Sequence, residues 1–150
     1  MRTEIIPAQH PIALKHAADV LKNGGLVAFP TDTVYGLASD AYDEDTIERL
    51  FIVKGRSGSK AIAVLISDLS QLERVAVNIS PTARKLAEAF WPGPLTIILE
   101  RSPLLPGILS PSRTIGVRVP NHPVAIELMR LTGPLAVTSA NQSGKANPLT

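Results

Sequence analysis

Apolar positions along the chain switch between two periods. Leu14, Ala17, Ala18 and Leu21 recur at i, i+3, i+4 and i+7, which predicts one buried helical face, stopped by Gly24-Gly25. Leu26 to Phe29 is a short apolar run closed by Pro30, read as a buried strand, and Val34 to Ala38 reads as a second extended piece. Asp43 is placed to cap a helix running to Lys54, with Ile47, Leu50 and Phe51 facing inward. A loop from Gly55 to Ser59 leads into the continuous apolar run Ala61 to Ile66. Ser80-Pro81 is a cap followed by a first-turn proline, which starts a helix reaching Phe90. Trp91-Pro92-Gly93-Pro94 must turn, and Leu95 to Leu99 forms the next strand. Arg101 to Arg113 holds three prolines and reads as a long loop. A strand over Ile115 to Val119, a helix over Pro123 to Leu131 and a strand over Leu135 to Thr138 complete the pattern.

Strands alternating with helices predict an α/β fold of two or three layers whose sheet is mixed rather than purely parallel. At 150 residues the chain fits one domain. Its formal charge of +2 carries no basic tail, so any cationic site must arise by local clustering. The absence of cysteine excludes disulfides and thiolate zinc sites and favours a reducing compartment. No signal-peptide pattern opens the chain, and no apolar stretch approaches the roughly 18–20 residues of a membrane helix. A soluble, cytoplasmic protein without membrane contact is expected.

Four polar clusters fall just beyond apolar strands, where α/β sheets hold ligands. Pro30-Thr31-Asp32-Thr33-Val34-Tyr35-Gly36 offers hydroxyls, a carboxylate and a phenol, either as a turn with an Asx cap or as a binding loop. Lys54-Gly55-Arg56-Ser57-Gly58-Ser59-Lys60 puts three cations and two glycines within seven residues, chemistry suited to a triphosphate and equally to a solvated basic loop. Arg118 sits between valines inside a strand and needs an anion, either an internal carboxylate or that of a ligand held bidentately. Val137 to Gly144 ends a strand in small hydrogen-bonding residues, an ordinary cap or a cradle for phosphate or ribose. There is no P-loop spacing and no nucleophile elbow. His10, His16 and His122 show no metal-ligand spacing, so no metal site is assigned to the protein itself. Aromatic residues, at 4%, are too few for a single-strand stacking surface.

Taken in order, these segments resemble the YrdC/TsaC family, the L-threonylcarbamoyladenylate synthases. The matching stretches are Phe29-Pro-Thr-Asp-Thr-Val-Tyr-Gly-Leu37, Lys54-Gly-Arg56 with Lys60, Trp91-Pro-Gly-Pro-Leu-Thr96, Gly116-Val-Arg-Val-Pro120 and Thr138-Ser-Ala-Asn141 followed by Ser143-Gly144. The resemblance implies a twisted mixed β-sheet with flanking helices around a basic concave cleft. It implies formation of threonylcarbamoyl-AMP and pyrophosphate from ATP, bicarbonate and L-threonine. Mg²⁺ is expected to accompany ATP, with no organic cofactor. Partner proteins, a threonylcarbamoyl transferase complex, would pass the group to tRNA. By position, Thr31, Arg118 and Thr138 would contact threonine. Lys54, Arg56, Lys60, Thr114, Ser139, Ala140 and Asn141 would bind ATP, and Lys54, Arg56, Arg118 and Ser139 would carry catalysis. Asp32 and Tyr35 would shape the first loop.

The chain departs from the family at Ser57 and Ala61, where prolines are common, and at Leu65, where a histidine is often found. Family members continue past residue 150 through a Ser-Thr-Val-Val-Asp-like motif and a later arginine. A single YrdC-like domain over residues 1–150, incomplete at its C-terminus, is therefore expected. Two other functions stay open: a YrdC-like RNA-binding paralogue without synthase activity, taking tRNA or double-stranded RNA, and a carbamoyl-transfer domain of hydrogenase-maturation type.

Overall fold

The computed structural model describes residues 3–55 and 61–140. Seven strands form one sheet in the order β1-β2-β7-β3-β6-β5-β4. They are β1 Val27–Phe29, β2 Gly36–Asp40, β3 Ala63–Leu65, β4 Ala76–Val77, β5 Ile97–Arg101, β6 Thr114–Arg118 and β7 Leu135–Ser139. β3 and β6 run parallel, and every other pairing is antiparallel. The sheet is mixed, as the alternation of elements predicts.

Alternation along each strand sends side chains to two faces. Val64, Ile97, Leu99, Ile115, Val117 and Ala136 pack in one core with Ile47, Leu50 and Phe51 of α2 (Glu44–Lys54) and Ala87 of α3 (Pro81–Phe90). Ala38, Leu65, Leu135 and Val137 pack on the other side with Ala18 and Leu21 of α1 (Ala13–Lys22) and Ala125, Leu128 and Met129 of α4 (Pro123–Thr132). The protein is thus three-layered. The second pair of helices covers only the β1-β2-β7-β3 side. On the β6-β5 side the same face is open: Thr96, Glu100 and Thr114 are exposed there and Ile98 is 65% exposed.

The helix starts follow from their caps. Asp43 Oδ1 accepts from Thr46 N at 3.3 Å, and Ser80 Oγ accepts from Ala83 N at 3.1 Å. At α4 the cap is His122, whose Nδ1 accepts from Val124 N at 3.2 Å ahead of the first-turn Pro123, in keeping with a turn residue rather than a base. Several boundaries differ from the sequence pattern. β2 begins at Gly36 rather than Val34, because the chain from Thr31 to Val34 closes on itself through side-chain bonds. β5 starts at Ile97, two residues late, after Leu95 has used its carbonyl to accept from Trp91 Nε1 at 2.8 Å. The 3₁₀ turns Leu69–Arg74 and Gly107–Leu109 and the two-residue β4 are too short to leave a period in the sequence.

Candidate active site

α2 delivers its last residue, Lys54, to one rim of the sheet. Gly55 takes a left-handed φ of 62° and ends the helix there. Lys54 is only 3% exposed, and its Nζ donates to Ser139 O at 2.6 Å. Thr138 Oγ1 donates to the same carbonyl at 3.2 Å. Ser139 pairs with Gly36, and one residue on, Ala140 N donates to Tyr35 O at 2.8 Å. Ala63 pairs with Val137, and Val64 lies between Ala136 and Val117. That register puts the end of β7, with Ser139, and the start of β6, with Thr114, at the same end of the sheet. Thr114 is exposed, and its Oγ1 lies 2.9 Å from Ser112 Oγ. Four of the expected nucleotide-binding residues, Lys54, Thr114, Ser139 and Ala140, therefore share one end of the sheet.

Arg118 lies at the end of β6 on the same face as Thr114 and Gly116. Its guanidinium is held from three directions: Nε donates to Gly93 O at 2.8 Å, Nη1 to Thr33 Oγ1 at 3.2 Å, and Nη2 pairs with Asp32 Oδ1. The two charged side chains are 12% and 17% exposed, although the Asp32 backbone is open to solvent. Of the two anions open to Arg118 from sequence, the internal one is present. Thr31 does not reach Arg118 itself; its Oγ1 donates to Val34 O at 2.5 Å and accepts from Thr33 N at 3.2 Å, which bends the loop so that Asp32 and Thr33 fold back over the sheet.

The two clusters are continuous. A Cβ on Gly36 would lie 2.7 Å from Val137 Cγ1 and 3.8 Å from Thr31 Cγ2, so only glycine lets the loop lie this close to β7. One short segment thus bridges them: Tyr35 and Gly36 join β7 at Ala140 and Ser139, and Asp32 and Thr33, a few residues earlier, bond Arg118. Gly116 keeps the floor between them low, since a Cβ there would sit 2.9 Å from Thr96 Cγ2.

Lys54 reaches the rim from the α2 side of the sheet, whereas Arg118 projects from the opposite, open face. Thr138 also points to the α2 side, alternating with Val137, so it lines the rim only through its bond to the Ser139 carbonyl. Leu65, level with Arg118 and on the same face, is buried against α1 and α4 and offers no polar group there. Arg56, Lys60 and Asn141 lie outside the described residues. Thr33 and Gly93 are site residues that sequence reasoning passed over. Thr33 was signalled by its place in the hydroxyl-rich loop, but Gly93 only by a turn motif that gives no hint of a carbonyl aimed at an arginine.

Residues 19–150 match the model of the Sua5_yciO_yrdC family, described as telomere recombination. The chain belongs to the Sua5/YciO/YrdC family. Among curated members, the threonylcarbamoyl-AMP synthase of Pyrococcus abyssi (strain GE5 / Orsay) is 42% identical over 137 residues, covering 90% of this chain and 40% of the relative. That of Bacillus subtilis (strain 168) is 41% identical over 138 residues, again covering 90% and 40%. The crystal structure of P. abyssi Sua5 complexed with L-threonine superposes with a TM-score of 0.89 at 41% identity, covering 97% of this chain and 42% of that one. This member of the family thus spans about two fifths of the length of these relatives.

Proposed function

We propose that this chain carries the adenylate-forming site of an L-threonylcarbamoyladenylate synthase. The observation that supports it best is that the single segment Asp32 to Gly36 is tied at one end to Arg118 on the open face and at the other to Ser139, the residue that Lys54 bonds at the rim. In this reading ATP lies along the rim, with Arg56, Lys60 and Asn141 adding contacts. L-Threonine lies over the Gly116 floor with its carboxylate towards Arg118.

Threonine's amine combines with bicarbonate to give a carbamate and water. A carbamate oxygen then attacks the α-phosphorus of ATP, the bond to the bridging oxygen breaks, and pyrophosphate leaves. The obstacle is bringing two anions together: unit charges ~4 Å apart at an effective dielectric of ~20 repel by roughly 4 kcal/mol. The buried Lys54 charge offsets this at the nucleotide end, while at the amino-acid end Arg118, paired with Asp32, would fix the carboxylate by directed hydrogen bonds rather than by net charge. Fixed cations need no reorganisation during the reaction, which makes catalysis electrostatic and positional. Mg²⁺ would neutralise phosphate oxygens. The described residues hold no group of three or more His, Cys, Asp or Glu able to bind a metal, so the triphosphate itself would supply most of its ligands.

The product would be consumed by a threonylcarbamoyl transferase complex acting on tRNA, in the cytoplasm. No helix among the described residues is long and apolar enough to cross a membrane. Pyrophosphate release by the purified chain should require ATP, L-threonine and bicarbonate together. Release without threonine would favour carbamoyl transfer, and tRNA binding without any release would favour an RNA-binding paralogue.

A further inference from the structure

We propose that Asp32 is the ammonium-binding residue of the amino-acid site, so that the Arg118–Asp32 pair reads a zwitterion rather than a bare carboxylate. This rests on the threonine reading of the site and adds a residue to it. Arg118 is already neutralised by Asp32 and anchored by Gly93 O and Thr33 Oγ1. A lone carboxylate docked on that guanidinium would leave the cluster with one uncompensated negative charge in a setting where the two side chains are only 12% and 17% exposed. An α-amino acid brings both signs a few ångströms apart. Its carboxylate can take the outer guanidinium N–H groups while its ammonium donates to Asp32, and the cluster stays neutral.

The loop geometry fits that role. Thr31 turns its hydroxyl inward onto Val34 O, and Asp32, the one charged residue from Pro30 to Gly36, lies at Arg118 with its side chain still partly exposed. Were Asp32 needed only to neutralise Arg118, an incoming carboxylate would have to displace it, and removing the Asp32 charge would tighten binding.

The test is calorimetric titration of this chain with L-threonine and with 3-hydroxybutanoate, which is threonine without its amine. Wild type should bind threonine at least about tenfold more tightly, the usual weight of a charge-assisted hydrogen bond. In Asp32→Asn, threonine should weaken, while the analogue, no longer facing the Asp32 charge, should bind more tightly. Equal affinity of wild type for both ligands overturns the assignment, and it does so even if the variant fails to fold. Tighter binding of both ligands by Asp32→Asn, or an equal loss for both, overturns it too. If wild type binds neither ligand, the threonine reading itself fails, and this inference with it.

Discussion

Lys54 shows how burial changes the meaning of a side chain. In the sequence it is one of three cations in a glycine-containing loop. In the structure it is 3% exposed and ties α2 to the end of β7 through Ser139 O. Lys54→Ala should therefore reduce pyrophosphate release and also lower stability, by about 1.5–3 kcal/mol, the net worth of a hydrogen bond from a charged donor. Urea unfolding of the variant beside its activity measures both, and wild-type stability would refute the structural half. Arg118→Ala should weaken threonine binding far more than ATP binding, because Arg118 stands about 13 Å along β6 from Thr114. Equal losses in titrations with each ligand would count against it. The need for an anion at Arg118 was legible from its valine neighbours. Its identity was not, since Asp32 lies 86 residues away and pairing at that range depends on how the sheet is ordered.

Elements whose ends carry a chemical signal were the most legible. Asp43, Ser80-Pro81 and Pro123 mark the starts of α2, α3 and α4 in the sequence, and the helices begin there. The strands were found but their boundaries slid by one or two residues, because an apolar run does not show where ladder pairing starts. β4 was missed because two residues cannot display a period. The cap of α2 also makes a pH prediction. The Asp43 carboxyl is held below its ordinary pKa, chiefly by its bonds with Thr46. A lowered folded-state value means the stabilisation is complete above the unfolded-chain value near ~4 and is lost as pH falls through the folded one. Asp43→Asn keeps a capping oxygen without the titration, so it should match wild type at neutral pH and lose less stability on acidification. Asp43→Ala should cost about 1 kcal/mol at neutral pH. Unfolding free energies at two pH values check both, and an unchanged acid slope in the asparagine variant would contradict the cap's role.

For the molecule as a whole, stability comes from two cores separated by the sheet. The core under α2 is large, and Leu50 within it is fully buried. Leu50→Ala should cost about 2–5 kcal/mol in urea unfolding with little change in the denaturant slope. A loss below 1 kcal/mol would mean the site collapses around the gap. Because α2 both fills this core and presents Lys54, such a variant should lose pyrophosphate release in step with its folded fraction.

The two bonds that define the site close over 85 and 86 residues of sequence, from Lys54 to Ser139 and from Asp32 to Arg118. Loops that long are slow to shut, and they reward the chain only after most of it is in place. Of the described strands β7 is made last, and it is the one that joins β2 to β3, so the sheet brings Asp32 to Arg118 and Ser139 to Lys54 only once it has docked. Assembly of the candidate site is thus tied to the docking of one late strand.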